Sequence, residues 1–156
     1  MTALWSAVFR IRFSVFRPSI GNLVSFDPTD PRIDEGICLF NKQEFFACHD
    51  VFEDFWSELI GPEKTFFQGL IHAAVCLFHF EGGNAGGARR MYGSCNRYLQ
   101  TFEPDFCGID VTRLLTDLTF CFEELLAVKH GYPHGLKLRD ERIPIIHRSV
   151  DFQASQ

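Results

Sequence analysis

Between Pro62 and Glu81 the chain places apolar side chains on every side of a helix. Phe67, Leu70, Ile71, Ala74, Leu77 and Phe78 form one face, and Val75 and Cys76 lie on the other. A helix that is apolar all round is stable in water only when other elements cover it on several sides. This segment is therefore the centre of whatever the chain folds into, and the flanking sequence has to supply its cover.

The flanks read as helices. Asp30-Pro31 is an N-cap followed by proline at the first helical position, and it opens a short helix over about 31–41 carrying Ile33, Ile37 and Phe40. A second helix, about 43–60, has the stripe Phe45, Cys48, Phe52, Phe55, Trp56 and Leu59 at spacings of three and four, with Asp50, Asp54, Ser57 and Glu58 opposite. Gly61-Pro62 ends it and starts the central helix. Asn84 caps a fourth helix over about 85–102, striped by Ala88, Met91, Tyr92, Cys95, Leu99 and Phe102. Pro104 to Gly108 is a loop, and Asp110 caps a fifth helix over about 111–129. Short connections favour antiparallel neighbours. The expected fold is all-α: an up-and-down bundle of four long helices plus a short N-terminal helix, with irregular N- and C-terminal arms.

At 156 residues, with 46% apolar and 22% charged residues, the chain suits one domain, and its 18 phenylalanines call for an aromatic core. It divides into an N-terminal arm and linker (1–30), a helical domain (31–130) and a basic tail (131–156), in which Ile143 to Ile146 form an extended apolar strap. Net charge is −5, so no nucleic-acid partner is expected. The middle is acidic and both ends are basic, which suggests tails folded back onto an acidic body. No run is apolar enough to span a membrane. The six cysteines have no Cys-x-x-Cys spacing and fall mostly in apolar stripes, so they read as reduced core residues of a cytoplasmic protein. Residues 1–17 mix Arg10, Arg12 and Arg17 with apolar residues and no acid; they fit an organellar transit segment as the alternative, or a short strand through Phe9, Ile11, Phe13 and Val15.

Polar residues on buried faces carry the functional signal. His49 lies within the second helix's stripe, with Glu53 one turn later and Trp56 beside them. On the central helix Gln68 and His72 are one turn apart, and His79 follows two turns after. If these helices pair antiparallel, both sets point into one seam holding His49, Glu53, Gln68 and His79. Two readings compete. One is a structural hydrogen-bond network in which Glu53 orients His49 and Gln68 bridges the helices. The other is a metal-dependent or acid–base enzyme, hydrolase-like, using His49, Glu53 and His79. Gln68 and His79 sit about 16 Å apart along their helix, too far to serve one compact centre, which favours the network. No cofactor and no metal are therefore assigned. The fold's partner is expected to be a protein or small molecule engaged by a non-enzymatic interaction or scaffold domain.

Enzyme templates are missing: there is no phosphate-binding loop, no dinucleotide fingerprint and no Gly-x-Ser-x-Gly elbow. The glycines of Gly82 to Gly87 join two helices, and they suit close helix crossing better than anion binding. His130, His134 and His147 read as surface residues of the tail.

The run from Phe40-Asn41 through Phe45-Phe46 to His49-x-x-x-Glu53-x-x-Trp56 resembles the DUF309 domain, a family of unknown function. Further blocks agree: Gln68-Gly69-Leu70-Ile71-His72-Ala73-Ala74, His79 with Gly83-Asn84 and Gly87-Ala88, and Gly108-Ile109-Asp110. The resemblance covers about 33–128 and departs from the family pattern at Asp50, usually Glu, and at His72, typically Gln. It implies a compact helical bundle in which His49, Glu53, Trp56, Gln68, His79 and Asn84 are motif positions. It implies no activity. A site shared by the family could not depend on His72.

Overall fold

The computed structural model describes residues 26–131 and 134–149. The expectations for the transit-type segment and the alternating arm within 1–17, and for 150–156, lie outside the described residues.

Among the described residues five helices follow one another: α1 (Pro31–Asn41), α2 (Phe45–Glu58), α3 (Gly61–Glu81), α4 (Ala85–Leu99) and α5 (Val111–Ala127). The fold is all-α apart from a two-residue hairpin and its irregular arms. The starts of α1, α4 and α5 follow from side-chain caps. Asp30 accepts from the Arg32 amide at 2.9 Å with Pro31 in the first turn, and Asn84 and Asp110 accept from the amides of Gly87 and Arg113, each at 2.9 Å. Between α2 and α3, Leu59 and Ile60 turn extended, and Gly61 takes φ +72°, which a side chain would resist. The fourth helix is shorter than its stripe suggests, because Gln100–Phe102 tighten into a 3₁₀ turn.

The loop before α5 also differs from expectation. Asp105–Phe106 (β1) and Ile109–Asp110 (β2) pair antiparallel across Cys107-Gly108. Cys107 and Gly108 have φ of +52° and +71°, the handedness that a two-residue hairpin requires at both central positions.

Consecutive helices pack mainly on each other, with α3 joined to both α2 and α4. As its all-round apolarity demands, α3 buries the most: Phe66, Phe67, Leu70, Ala73, Ala74, Cys76 and Leu77 have no accessible surface. Phe67 is a hub. Its ring lies 4.9 Å from that of Phe55, and 5.6 Å from those of Phe52 and Phe66, all edge-on. Edge-on pairs of this kind contribute about 0.5–1.5 kcal/mol each beyond area burial. Two glycines let the helices close up. A Cβ on Gly36 would stand 2.3 Å from the Phe52 ring, and one on Gly69 would stand 2.5 Å from Leu99.

The six thiols are all free; Cys48, Cys76, Cys95 and Cys121 are buried, Cys107 is half-buried and Cys38 is exposed. Among the described residues no helix is long and apolar enough to cross a membrane. Residues 143–149 run extended across the body between α1 and the hairpin, with Ile146 buried.

Candidate functional site

Five of the seven expected site residues come together. His49, Glu53 and Trp56 from α2, and Gln68 and His72 from α3, line one narrow cleft with Ile71, Val75 and Met91. The antiparallel pairing of α2 with α3 produces this: residues one turn apart share a face, and the two polar faces meet. The free space in the cleft is about 20 Å³, which is room for one water molecule or one ion.

His72 is the most constrained of the set. The Gln68 amide Nε2 donates to His72 Nε2 at 2.9 Å, which leaves the imidazole proton on Nδ1, directed at Ser94 Oγ on α4, also 2.9 Å away. Arg97 donates to the same hydroxyl oxygen at 3.1 Å. Burial, then the charges of Arg97 and His49, push the His72 pKa down to about 4. The ring is neutral and both nitrogens are committed.

His49 points its Nδ1 at Asp50 Oδ1 (3.2 Å) and its Nε2 toward Glu53 Oε2 (3.8 Å). The latter distance is too long for a hydrogen bond. Gln68 does not bridge α2 and α3 as expected; its bond stays within α3, and the link between helices runs from His72 to α4. Trp56 is held from behind. Lys64 Nζ sits 4.2 Å over the indole ring and donates to the carbonyls of Trp56 and Leu59, both at 3.1 Å. The indole Nε1 is buried, with no hydrogen-bond partner among the described residues.

His79 and Asn84 form a separate pair at the α3–α4 turn. Asn84 Nδ2 donates to His79 Nδ1 at 3.1 Å while its Oδ1 caps α4. Burial, then Arg90, lowers the His79 pKa. The single contiguous seam expected from the helical wheel is thus two clusters: a wheel gives the direction of His79 but not which neighbour it meets, and here it turns to α4. Gly87 is required in this place, since a Cβ would stand 2.6 Å from the Asn84 amide. The glycine-rich turn serves close packing here.

The sequence pattern does not single out Met91, which lines the cleft, or Asp50 and Ser94, which bond to its two histidines. Ser94 follows Met91 by three positions, so the shared face was readable. Asp50 was assigned to the outer face; its short side chain reaches sideways to the neighbouring His49. Together His49, Asp50 and Glu53 offer one donor atom each, all within 4.8 Å of one another.

These residues lie inside a recognisable block of sequence. Residues 33–91 match DUF309, a domain of unknown function. The matched segment holds most of α1, all of α2 and α3 and the start of α4, so it contains His49, Glu53, Trp56, Gln68, His72, His79 and Asn84, whereas Ser94 falls beyond it. The chain is also similar to the uncharacterized protein YpuF of Bacillus subtilis (strain 168), 29% identical over 104 residues, 65% of this chain and 60% of that protein. An uncharacterized protein of Aquifex aeolicus (strain VF5) is 28% identical over 100 residues, 63% of this chain and 29% of that protein. The chain therefore spans less than two thirds of either relative.

Proposed function

We propose that this is a non-enzymatic helical scaffold domain that acts by binding a partner, and that the polar network at its cleft fixes how α3 and α4 pack. The observation that carries this is His72. A general acid or base needs a nitrogen open to substrate and a pKa near the working pH. His72 has its ring nitrogens tied to Gln68 and Ser94, and its pKa is driven down to about 4. The cleft's water-sized space supports the same reading, since an organic substrate needs a few hundred Å³.

A second reading rests on His49, Asp50 and Glu53. One imidazole and two carboxylates suit a divalent ion of the zinc or manganese kind, with coordination positions left open. His79, assigned to such a centre in the sequence reading, is bonded to Asn84 instead, and Asp50 would take its place.

Elemental analysis of protein purified without an affinity tag separates the two. The scaffold reading expects no stoichiometric transition metal and no change in melting temperature with chelator. Stoichiometric metal, lost in Glu53→Gln, would replace it with the second reading.

A further inference from the structure

Residues 143–149 sit on the body as a bound peptide would. The Ile146 N–H donates to Asn41 Oδ1 at 2.8 Å, and the Ile146 carbonyl accepts from Asn41 Nδ2 at 3.0 Å. On the other edge of the segment, the Asp110 N–H donates to the His147 carbonyl and the Ser149 N–H donates to the Gly108 carbonyl, both at 3.0 Å. Arg148 stands opposite Ile109 in an antiparallel bridge. The segment is thus clamped between one side-chain amide and the edge of β2.

Alternate side chains turn inward. Pro144 and Ile146 are buried, Arg148 reaches the carboxylate of Asp34, and Ile145 between them is 46% exposed. A period of two, with main-chain bonds giving affinity and alternate pockets giving selectivity, is how an extended peptide adds to a sheet edge. Asn41 reads only the backbone of the central residue, which any extended chain can present. The selective contacts are the Pro144 and Ile146 pockets and the carboxylate of Asp34.

The attachment suits exchange. Upstream of the clamp, Arg142 pairs with Glu123 at 3.2 Å, and Arg139 pairs with Glu124 at 2.7 Å. Asp34 is 72% exposed at its side chain and Glu123 65%, against 17% for Arg148 and 19% for Arg142, so water and salt reach these anchors from their acidic ends. Ile146 is the sole large apolar side chain of 143–149 that is fully buried.

From this geometry we infer that the groove between Asn41 and the Gly108–Asp110 edge is a peptide-docking site. The chain fills it in cis, and in exchange it takes an extended segment of a partner protein with the spacing Pro-x-Ile-x-Arg. The acidic rim at Asp34 selects the arginine, and the Asn41 clamp sets the register.

The test uses the full chain and a fluorescein-labelled peptide of residues 140–149, followed by anisotropy. Arg148→Glu sets the cis segment against Asp34, and Arg142→Glu, which leaves the Arg148 contact in place, is a second and independent way to loosen it. Either change is expected to tighten peptide binding by about tenfold, because more of the protein then has an open groove. Adding Asn41→Ala to the loosened chain is expected to abolish binding, as is Ile146→Asp in the peptide. Absence of saturable binding to both loosened chains, or binding indifferent to Asn41→Ala, would overturn the inference. A concentration-dependent dimer of the loosened chain without peptide would also overturn it, by giving the groove to a second copy.

Discussion

Ser94 Oγ on α4 lies 2.9 Å from His72 Nδ1 on α3, and Gln68 holds the far nitrogen of the same ring. The orientation of one imidazole is therefore shared by two helices. Ser94→Ala leaves that N–H without an acceptor and is expected to cost about 1 kcal/mol. His72→Leu strands both the amide and the hydroxyl, at a cost of about 2–3 kcal/mol. Urea unfolding followed by circular dichroism measures both, and the two losses should fall short of additive in the double variant.

His72 also makes stability fall in mild acid. Its pKa drops from an ordinary 6.5 to about 4 in the folded chain, through burial first and then the charges of Arg97 and His49. Between those values the unfolded chain takes up a proton that the folded one refuses. Stability is thus full above about 6.5, declines as pH falls toward 4, and loses nothing more from this group below that. The complete linkage would be about 3 kcal/mol, reduced to about 2 by the ring's remaining contact with solvent. Unfolding titrations across this range should show the slope in the wild type and a shallower one in His72→Gln.

Glycine placement gives opposite signs on one helix pair. Gly69→Ala drives a methyl into Leu99 and is expected to cost about 1–3 kcal/mol. Gly93, inside α4, has nothing within 4 Å of its added Cβ, so Gly93→Ala should stabilise by about 0.5–1 kcal/mol. Thermal melts of the two single variants check the contrast.

Glu53 tests the cleft. It is half-buried and 3.8 Å from His49, a separation at which an ion pair adds little. Both Glu53→Gln and Glu53→Leu should change stability by less than about 0.5–1 kcal/mol. A larger loss in Glu53→Leu alone would mean that the carboxylate holds partners across the seam.

The helices were legible because punctuation and period agree: Asp30-Pro31, Gly61-Pro62, Asn84 and Asp110 stand where apolar spacing begins. Convergence of His49, Glu53, Gln68 and His72 was legible for the same reason. Periodicity sorts residues by face, but a face can meet more than one neighbour, and this separated His79 from the rest. The β1–β2 pair was not legible, since strands of two residues have no period to read. The Asn41–Ile146 clamp joins positions 105 apart, and nothing local announces such a contact.

The distribution of thiols gives the protein a built-in clock. Cys38 is open to solvent, while Cys48, Cys76, Cys95 and Cys121 are enclosed, and burial raises the thiol pKa of Cys95 and Cys121 to about 12. A small alkylating reagent at neutral pH should modify one position at once. The enclosed four become reactive only as the helices separate, so their labelling rates time the opening of α2, α3, α4 and α5 from within.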